Sequence, residues 1–288
     1  MKLHQLEQGS PQWAAFRSEK IGASDISAIS NLNSKCTPYQ LWSQKLGFET
    51  VEVTYAMQEG HRIEDEAREW FHKKYGILVL PAVGTHDQND WALASFDGLS
   101  EDKQTILEIK HVKQEFHEMA CSGRVPEIYF AQVQWQMYVA GLDRAYYLSY
   151  KRENPAVVIV HRDEDFISKA IPICEEFHRC VMDSTPPPLE DRDYIDVSDS
   201  LELTELAQRY KYYAAMEREH RDKANAIKDE MKELANDRNV KGSNFKLSKY
   251  MVAGRMDYEA IMKHHNINVK NCQQFKKPGI TSYRITVK

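Results

Sequence analysis

The chain has 288 residues, 42% hydrophobic and 28% charged, which is typical of a folded globular protein and excludes a disordered one. The formal net charge of -5 argues against a protein that coats nucleic acid by bulk positive charge, so phosphate binding would have to come from local basic groups. Five scattered cysteines without a CxxC pair exclude a disulfide framework and indicate no zinc or iron–sulfur site. Because the sequence also lacks a secretion signal and an apolar run of about 18 residues, we expect a cytoplasmic protein without a membrane span.

The first elements along the chain are predicted to be helices. A short helix begins at Pro11, and a turn at Ile21–Gly22 leads to a second helix with Ser24 as its N-cap. Over residues 57–75 apolar side chains recur at helical spacing until Gly76 ends the helix. Ser24 is therefore predicted to lie at a helix N-terminus.

The middle of the chain alternates between strand and helix patterns. Three β-like runs separated by turn-rich segments predict an antiparallel meander, and they cover residues 77–83, 91–96 and 105–112. A helix over 126–141, strands over 145–150 and 156–161, and a helix over 164–182 follow. This order predicts an α/β core with a central mixed sheet flanked by helices.

A proline-rich segment at 185–188 cannot continue the preceding helix and is predicted to be a stiff linker. We expect a core over residues 1–185 and a C-terminal helical and β appendage over 186–288. The appendage begins with a long charged helix over 200–236, continues with a segment at 244–252 and a short helix after Asp257, and ends in a strand over 282–287.

Acidic and basic residues that fit metal chemistry lie on the second and third strands of the meander. Side chains alternate along a strand, so Glu108 and Lys110 share one face while Leu107 and Ile109 take the other. Asp97 is expected to end the preceding strand, and the hairpin folds it back toward Glu108. Two adjacent carboxylates repel each other, and a divalent cation that prefers oxygen ligands, such as Mg²⁺, relieves the repulsion.

Such a site suits phosphodiester hydrolysis, because a metal ion activates water and neutralises charge on the phosphorane. Lys110 would hold the attacking water, and Glu64, at the edge of a buried helical stripe, offers a third acidic ligand. The same pattern also occurs in solvated surface hairpins. The apolar β-formers around Glu108 favour a place at the mouth of a core instead.

The order of five motifs resembles a known family. Asp97 followed by Glu108-x-Lys110 resembles the PD-(D/E)xK nuclease signature, and the wider pattern over residues 13–182 is similar to the phage lambda exonuclease or YqaJ-type viral recombinase family. The motifs are Trp13-x-x-x-Arg17 with Ile21-Gly22-Ala23-Ser24, Gly60-x-x-x-Glu64-x-x-Ala67-Arg68, Ser95-x-Asp97-Gly98, Leu107-Glu108-Ile109-Lys110, and Tyr129-x-x-Gln132-Val133-Gln134. Phe96 stands where the family often has proline, and this change removes no ligand.

The resemblance implies a restriction-endonuclease-like core and a role for each motif. Asp97 and Glu108 would bind Mg²⁺ or Mn²⁺, with the Ile109 carbonyl as a further ligand and Glu64 near a second cation. Lys110 and Gln132 would position the nucleophilic water; Gln134 falls on another helix face. The residues that correspond to the family's grip on a terminal 5′ phosphate are Arg17, Ser24 and Ser95.

These roles imply a 5′-to-3′ exonuclease that digests double-stranded DNA from its ends and leaves 3′ single-stranded overhangs for recombination. The resemblance also implies a trimeric ring around DNA and a single-strand annealing protein as partner. Two alternatives stay open, a restriction-like endonuclease of the same fold and a non-catalytic module that binds DNA ends.

The long helix of the appendage has its own alternatives. Its apolar stripe can pack on the core, its lysines Lys223, Lys228 and Lys232 can contact DNA, or the helix can mediate assembly. The interleaved acidic and basic residues favour a solvated face over DNA contact.

Overall fold

A computed structural model describes residues 1–49, 55–252, 254 and 256–265. The chain divides into two compact units, Met1–Ile195 and a second that begins at Asp196. No helix among the described residues combines the length and the apolar character that crossing a bilayer requires.

The first unit alternates strands and helices. Its strands are β1 (Lys2–His4), β2 (Ile21–Gly22), β3 (Val79–Thr85), β4 (Ala92–Ser100), β5 (Ile106–Lys110), β6 (Arg144–Ser149) and β7 (Ala156–His161). Its α-helices are α1 (Pro11–Ser18), α2 (Ile26–Ile29), α3 (Pro38–Lys45), α4 (Tyr55–Tyr75), α5 (Gln114–Cys121), α6 (Glu127–Ala140) and α7 (Glu164–Asp183). The helices α3 and α5 and the strands β1 and β2 were not expected from the sequence.

The strands of this unit form one mixed sheet in the order β1-β3-β4-β5-β6-β7, with β2 beside β4. Strands β3, β4 and β5 form the predicted antiparallel meander. Strand β6 then pairs parallel to β5, after a crossover that contains α5 and α6, and β7 returns antiparallel. The prediction of an α/β core with a central mixed sheet is confirmed.

Helices cover both faces of the sheet. On one face, α4 packs Ile63, Ala67 and Phe71 against a cluster that includes Leu107 and Ile109 of β5. On the other face, α6 packs against a larger cluster, to which β5 contributes Ile106. Because side chains alternate along a strand, Glu108 and Lys110 face α6, opposite to Leu107 and Ile109.

Strand β4 is longer than the sequence suggested. We expected Asp97 to end a strand, but β4 continues through Gly98 to Ser100. The hairpin turn lies after Ser100, whose amide donates to the Thr105 carbonyl at 3.0 Å, and Lys103 adopts a positive φ of 58° in that turn. Asp97 therefore lies inside a strand, where neighbouring strands fix its position.

The residues just after the proline-rich segment still belong to the first unit and bond to residues near the start of the chain. Glu190 accepts a hydrogen bond from Asn31 at 2.6 Å, and Arg192 donates to the Asn33 carbonyl at 2.6 Å. Asp193 accepts a hydrogen bond from Thr37. Along the chain, the first compact unit consequently ends at Ile195, ten residues after the expected boundary at residue 185.

The second unit contains a long helix, a small hairpin and a short helix. These are α8 (Leu201–Leu234), β8 (Val240–Lys241) paired with β9 (Lys246–Leu247), and α9 (Tyr258–His264). The long helix and the short helix after Asp257 agree with the sequence patterns. The last strand, expected over 282–287, lies outside the described residues.

We predict that Gly98→Ala destabilises the first unit by about 1–3 kcal/mol, because overpacking of a full core costs that much. A Cβ on Gly98 would lie 2.6 Å from Cγ2 of Val79 and 3.1 Å from Cβ of Leu107. Urea unfolding followed by tryptophan fluorescence measures the loss.

The double variant Gly98→Ala, Val79→Ala is the control, because it removes Cγ2 of Val79, the atom nearest to the new methyl group. Its loss should be smaller than the sum of the two single losses. Additive losses would mean that the close approach at Gly98 does not limit packing.

Candidate functional site

The centre of the site is the carboxylate of Glu108, which strand β5 directs into the protein interior. The side chain is 0% exposed. Its Oε1 accepts a hydrogen bond from Gln132 Nε2 at 2.6 Å and forms an ion pair with Lys110 Nζ. Its Oε2 accepts a hydrogen bond from Gln136 Nε2. Helix α6 thus supplies both amide donors, and β5 supplies both charged groups.

Asp97 lies where β5 separates from β4. The two strands pair at Gly98 with Leu107 and at Leu99 with Ile106, after which β5 turns toward β6. At this fork Asp97 Oδ2 accepts a hydrogen bond from the backbone amide of Ile109 at 2.8 Å. The Asp97 carboxylate therefore replaces a strand-to-strand hydrogen bond, and this holds it next to Glu108.

The electrostatics of this cluster follow from burial and from two nearby carboxylates. Burial, together with the negative charge of Asp97, raises the pKa of Glu108 to about 7. Burial opposes the charged form of Lys110, but the charges of Glu108 and Asp97 outweigh it and raise the Lys110 pKa above its ordinary value. The cluster therefore holds two carboxylates against one amine, an arrangement that favours an additional cation.

Two tyrosines form a wall beside the cluster. Tyr147 of β6 is paired in register with Glu108, and its ring stacks on that of Tyr129 with centroids 5.9 Å apart. The Lys110 ammonium lies 5.6 Å from the centroid of the Tyr129 ring. Since these rings exclude water from one side, charge interactions within the cluster are strengthened.

Glu64 approaches the cluster from the opposite face of the sheet. Arg68, one helical turn after it on α4, places its NH1 atom 3.8 Å from Glu64 Oε2. The same NH1 atom donates to the backbone carbonyl of Asp97 at 2.8 Å. Arg68 therefore brings the Glu64 carboxylate to the strand that carries Asp97.

A second cluster forms around the buried carboxylate of Asp25. Arg17 donates to Asp25 Oδ1 at 2.6 Å, and Lys45 forms an ion pair with Oδ2 at 2.7 Å. Burial opposes ionisation of Asp25, but Lys45 and Arg17 together lower its pKa to about 2. The fold thus holds the Arg17 guanidinium beside strand β2, and the Arg17 side chain is 31% exposed.

Ser24 is exposed beside Arg17, but its predicted role as a helix cap is wrong. Residues Ala23–Asp25 form a 3-10 turn, and the Gly22 amide donates to Asp25 Oδ2 at 2.9 Å, so Asp25 takes the capping role. The Ser24 hydroxyl instead accepts a hydrogen bond from Arg17 at 2.7 Å. The Arg17 guanidinium and the Ser24 hydroxyl consequently lie together near the surface.

Ser95 connects the two clusters through strand β4. Its hydroxyl accepts a hydrogen bond from Trp13 Nε1 at 3.0 Å, and Arg17 lies 5.3 Å from the Trp13 ring centroid. Its backbone carbonyl accepts a hydrogen bond from Gln136 at 3.2 Å. A single strand therefore carries Ser95 toward Arg17 and Asp97 toward Glu108, two residues apart.

The structure brings together most of the residues that the sequence singled out. Asp97, Glu108, Lys110 and Gln132 form one cluster, with Glu64 joined to it through Arg68. For Ile109, the amide nitrogen contacts Asp97, whereas a metal-ligand role for its carbonyl stays a prediction. Gln134 donates to the His161 carbonyl at 2.7 Å and so serves the packing of β7.

No role was predicted from the sequence for Gln136, Asp25 or Lys45. Gln136 lies four residues after Gln132, so helical spacing places both on one face of α6. That spacing does not reveal the partner, because Glu108 lies 28 residues away. Asp25 and Lys45 are also distant in sequence, and only the folded loop brings them to one point.

The residues present fit a divalent cation in part. Within the described residues, no group of three His, Cys, Asp or Glu side chains is arranged to hold a metal ion. Mg²⁺ commonly uses one or two protein carboxylates and completes its shell with water and phosphate oxygens. The carboxylates of Asp97 and Glu108, with their excess negative charge, suit that type of binding.

A comparison with models of protein families tests the resemblance to the YqaJ-type recombinase family. Residues 12–143 match the model of the YqaJ-like viral recombinase domain. The resemblance that the five motifs indicate is thereby confirmed. The matched range contains Asp97, Glu108, Lys110 and Gln132, and also Arg17, Ser24 and Ser95.

Similar proteins extend this match. YqaJ of Bacillus subtilis (strain 168) is 30% identical over 141 residues, which are 47% of this chain and 44% of that protein. The chain therefore matches less than half the length of this curated relative. The alkaline exonuclease LHK-Exo from Laribacter hongkongensis is 24% identical with a TM-score of 0.52, and covers 61% of this chain and 94% of its own.

A second crystal structure, LHK-Exo in complex with dAMP, is 23% identical with a TM-score of 0.54, again over 61% of this chain and 94% of that chain. At these identities the likeness concerns the fold. It confirms the expected restriction-endonuclease-like core, with its mixed sheet between helices.

We predict that Gln136→Leu lowers the free energy of unfolding by about 1–3 kcal/mol, because it leaves buried acceptors without their donor. Leucine is similar in size to glutamine, but it lacks the amide that donates to Glu108 Oε2 and to the Ser95 carbonyl. Chemical denaturation measures the loss.

Gln114→Leu is the matched control, because Gln114 is exposed and its partner Glu118 is also at the surface. Its effect should stay within about 0.5 kcal/mol. Equal losses in the two variants would show that Gln136 does not satisfy the buried carboxylate.

Proposed function

We propose that the chain is a metal-dependent DNA exonuclease that hydrolyses phosphodiester bonds of duplex DNA from its 5′ ends. The observation that carries this proposal is the convergence of Asp97, Glu108, Lys110 and Gln132 within a YqaJ-like domain. The name of LHK-Exo as an alkaline exonuclease supports the same reaction for this chain.

The carboxylates of Asp97 and Glu108 are the proposed ligands of Mg²⁺, for which Mn²⁺ can substitute. The Ile109 carbonyl is a further proposed ligand, and Glu64 is proposed to lie near a second cation. When bound, the metal lowers the pKa of water and neutralises charge on the transferring phosphate. The site's excess of carboxylate charge supports this assignment.

Lys110 and Gln132 are proposed to orient the attacking water. Each already contacts Glu108 Oε1, so both can act on a molecule placed beside that oxygen. An ammonium group carries three donors and an amide carries both a donor and an acceptor. Besides the contact with Glu108, both groups have further hydrogen-bonding atoms that can hold a water molecule in line with a phosphate.

The Arg17 cluster supports selectivity for DNA ends. A guanidinium beside a hydroxyl is suited to a terminal phosphate, because both donate hydrogen bonds to anionic oxygens. Arg17 and Ser24 provide these two groups, and Ser95 belongs to the same strand as Asp97. We propose that Arg17, Ser24 and Ser95 bind the 5′ phosphate while Asp97 and Glu108 serve the adjacent phosphodiester.

Digestion from a 5′ end would leave 3′ single-stranded overhangs. A single-strand annealing protein is the proposed partner that receives them, and a trimeric ring around DNA is the proposed assembly of the first unit. A ring would give processivity to a chain of net charge -5 without bulk electrostatic binding. We propose the cytoplasm as the site of action.

The alternatives are a restriction-like endonuclease of the same fold and a non-catalytic module for DNA ends. An endonuclease would cut a covalently closed circular duplex, whereas the proposed exonuclease would degrade only the linear form. The exposed Arg17–Ser24 pair favours the exonuclease, since an internal cut needs no grip on a terminal phosphate.

We predict that Asp97→Ala and Lys110→Ala each reduce duplex digestion by at least about 100-fold, because electrostatic and water-positioning groups contribute on that scale. Chelation of divalent ions should abolish digestion by the unchanged chain. Release of end label from linear duplex measures the rate.

Lys169→Ala removes an exposed lysine from α7 and is the control. It should digest DNA at the unchanged rate. Activity that survives in both Asp97→Ala and Lys110→Ala would disprove the assigned site, and inactivity of the unchanged chain with Mg²⁺ and Mn²⁺ would favour the non-catalytic alternative.

We predict that Arg17→Ala slows digestion of 5′-phosphorylated ends about tenfold or more, because a charge-assisted contact to phosphate is lost. Digestion of 5′-hydroxyl ends should change much less. The ratio of the two initial rates is the measured quantity.

Lys45→Ala provides the matched control, because it also removes a cation from Asp25 but its side chain is only 6% exposed and cannot hold DNA. It should affect both kinds of end equally. The same ratio for Arg17→Ala and the unchanged chain would refute a phosphate-binding role.

A further inference from the structure

Helix α8 of the second unit exposes an unusual amount of apolar surface. It spans 34 residues, and none of them is buried. Large apolar side chains are exposed in both its N-terminal and its C-terminal part, among them Leu203 at 51%, Ile227 at 58% and Leu234 at 85%. In proteins, helices gain most of their stability when such an apolar face packs against another part of the structure. A partner for this surface is therefore expected.

The apolar residues of α8 follow a heptad repeat. They are spaced by three and four residues alternately, the spacing that two supercoiled helices require. The a positions are Leu203, Tyr210, Glu217, Ala224 and Met231. The d positions are Leu206, Tyr213, His220, Ile227 and Leu234. Only the central layer is polar, with Glu217 and His220 one turn apart.

This order of residues is self-complementary when two copies run antiparallel, because a positions then face d positions. The central layer places Glu217 against the partner's His220, an acid opposite a base. The outer layers are apolar throughout: Tyr213 with Ala224, Tyr210 with Ile227, Leu206 with Met231, and Leu203 with Leu234. All ten heptad positions thus find a suitable partner.

The flanking charges also favour the antiparallel orientation. In that arrangement Arg209 faces the partner's Glu230, and the pair occurs twice by symmetry. In a parallel pair Glu217 would face its own copy in the core, and Lys223 would lie against the partner's Lys228. Like charges across an interface destabilise it. The parallel orientation is therefore disfavoured.

Two of the three lysines of α8 that could contact DNA are paired with acidic residues of the same helix. Lys223 is paired with Glu219 at 2.5 Å, and Lys232 is paired with Asp229 at 2.6 Å. Such pairs neutralise the local charge that phosphate binding needs. The heptad stripe, and not the lysines, is the feature of α8 that points to a partner.

We propose that α8 pairs with α8 of a second copy of this chain as an antiparallel two-stranded coiled coil. The contact has two-fold symmetry, so it joins two chains or doubles whatever assembly the first unit forms. It lies in the second unit and does not depend on the proposed nuclease activity.

Sedimentation of the full chain over a range of concentrations tests the pairing. Ile227→Asp places a charge in an apolar layer and should halve the mass at moderate concentration. Gln208→Asp, a change outside the a and d positions, is the matched control and should leave the mass unchanged. An unchanged mass for Ile227→Asp, or a single-chain mass for the unaltered protein, would overturn the proposal.

Charge reversal tests the orientation without disturbing the apolar layers. Arg209→Glu and Glu230→Arg should each raise the dissociation constant of the pair about tenfold, because two attractive contacts become repulsive. The double variant should restore it. In a parallel pair these residues would face Ala214 and Ala235, so a lack of effect, or a failure of the double variant to restore pairing, contradicts the antiparallel coiled coil.

Discussion

The burial of one carboxylate constrains most of the first unit. A buried ionised group costs several kcal/mol unless charge and hydrogen bonds compensate. Glu108 receives this compensation from Lys110 on its own strand and from Gln132 and Gln136 on α6. Helix α6 must therefore pack at one rotation and one height against β5. The large cluster of apolar residues around α6 fixes that position.

Strand β4 carries the connection between the two polar clusters. Ser95 and Asp97 lie two residues apart, so the spacing between the Arg17 region and the Glu108 region is set by a single extended backbone. Gln136 bonds both the Ser95 carbonyl and Glu108, which ties this strand to β5 from the side of α6. A rigid strand is a more accurate spacer than a loop, and the proposed reaction at a fixed distance from a DNA end would need such accuracy.

The sequence predicted features that depend on local periodicity. The alternation along Leu107, Glu108, Ile109 and Lys110 follows from strand geometry, and it placed the acid and the amine on one face. Features that depend on distant partners were not accessible in this way. Ser24 looked like a helix cap, but Asp25, held by a lysine 20 residues away, takes that role. Likewise, the spacing along α6 placed Gln136 on the right face without identifying the carboxylate that it serves.

The short segment that follows the proline-rich linker limits where such chains can exchange modules during evolution. Glu190, Arg192 and Asp193 lie after the prolines, yet they bond to Asn31, Asn33 and Thr37 near the start of the chain. A genetic crossover within the prolines would separate these partners and leave the early loop without its polar contacts. A crossover after Ile195 would keep these partners on one inherited segment. Exchange of the C-terminal part of the gene therefore preserves these contacts only when the junction lies after Asp193.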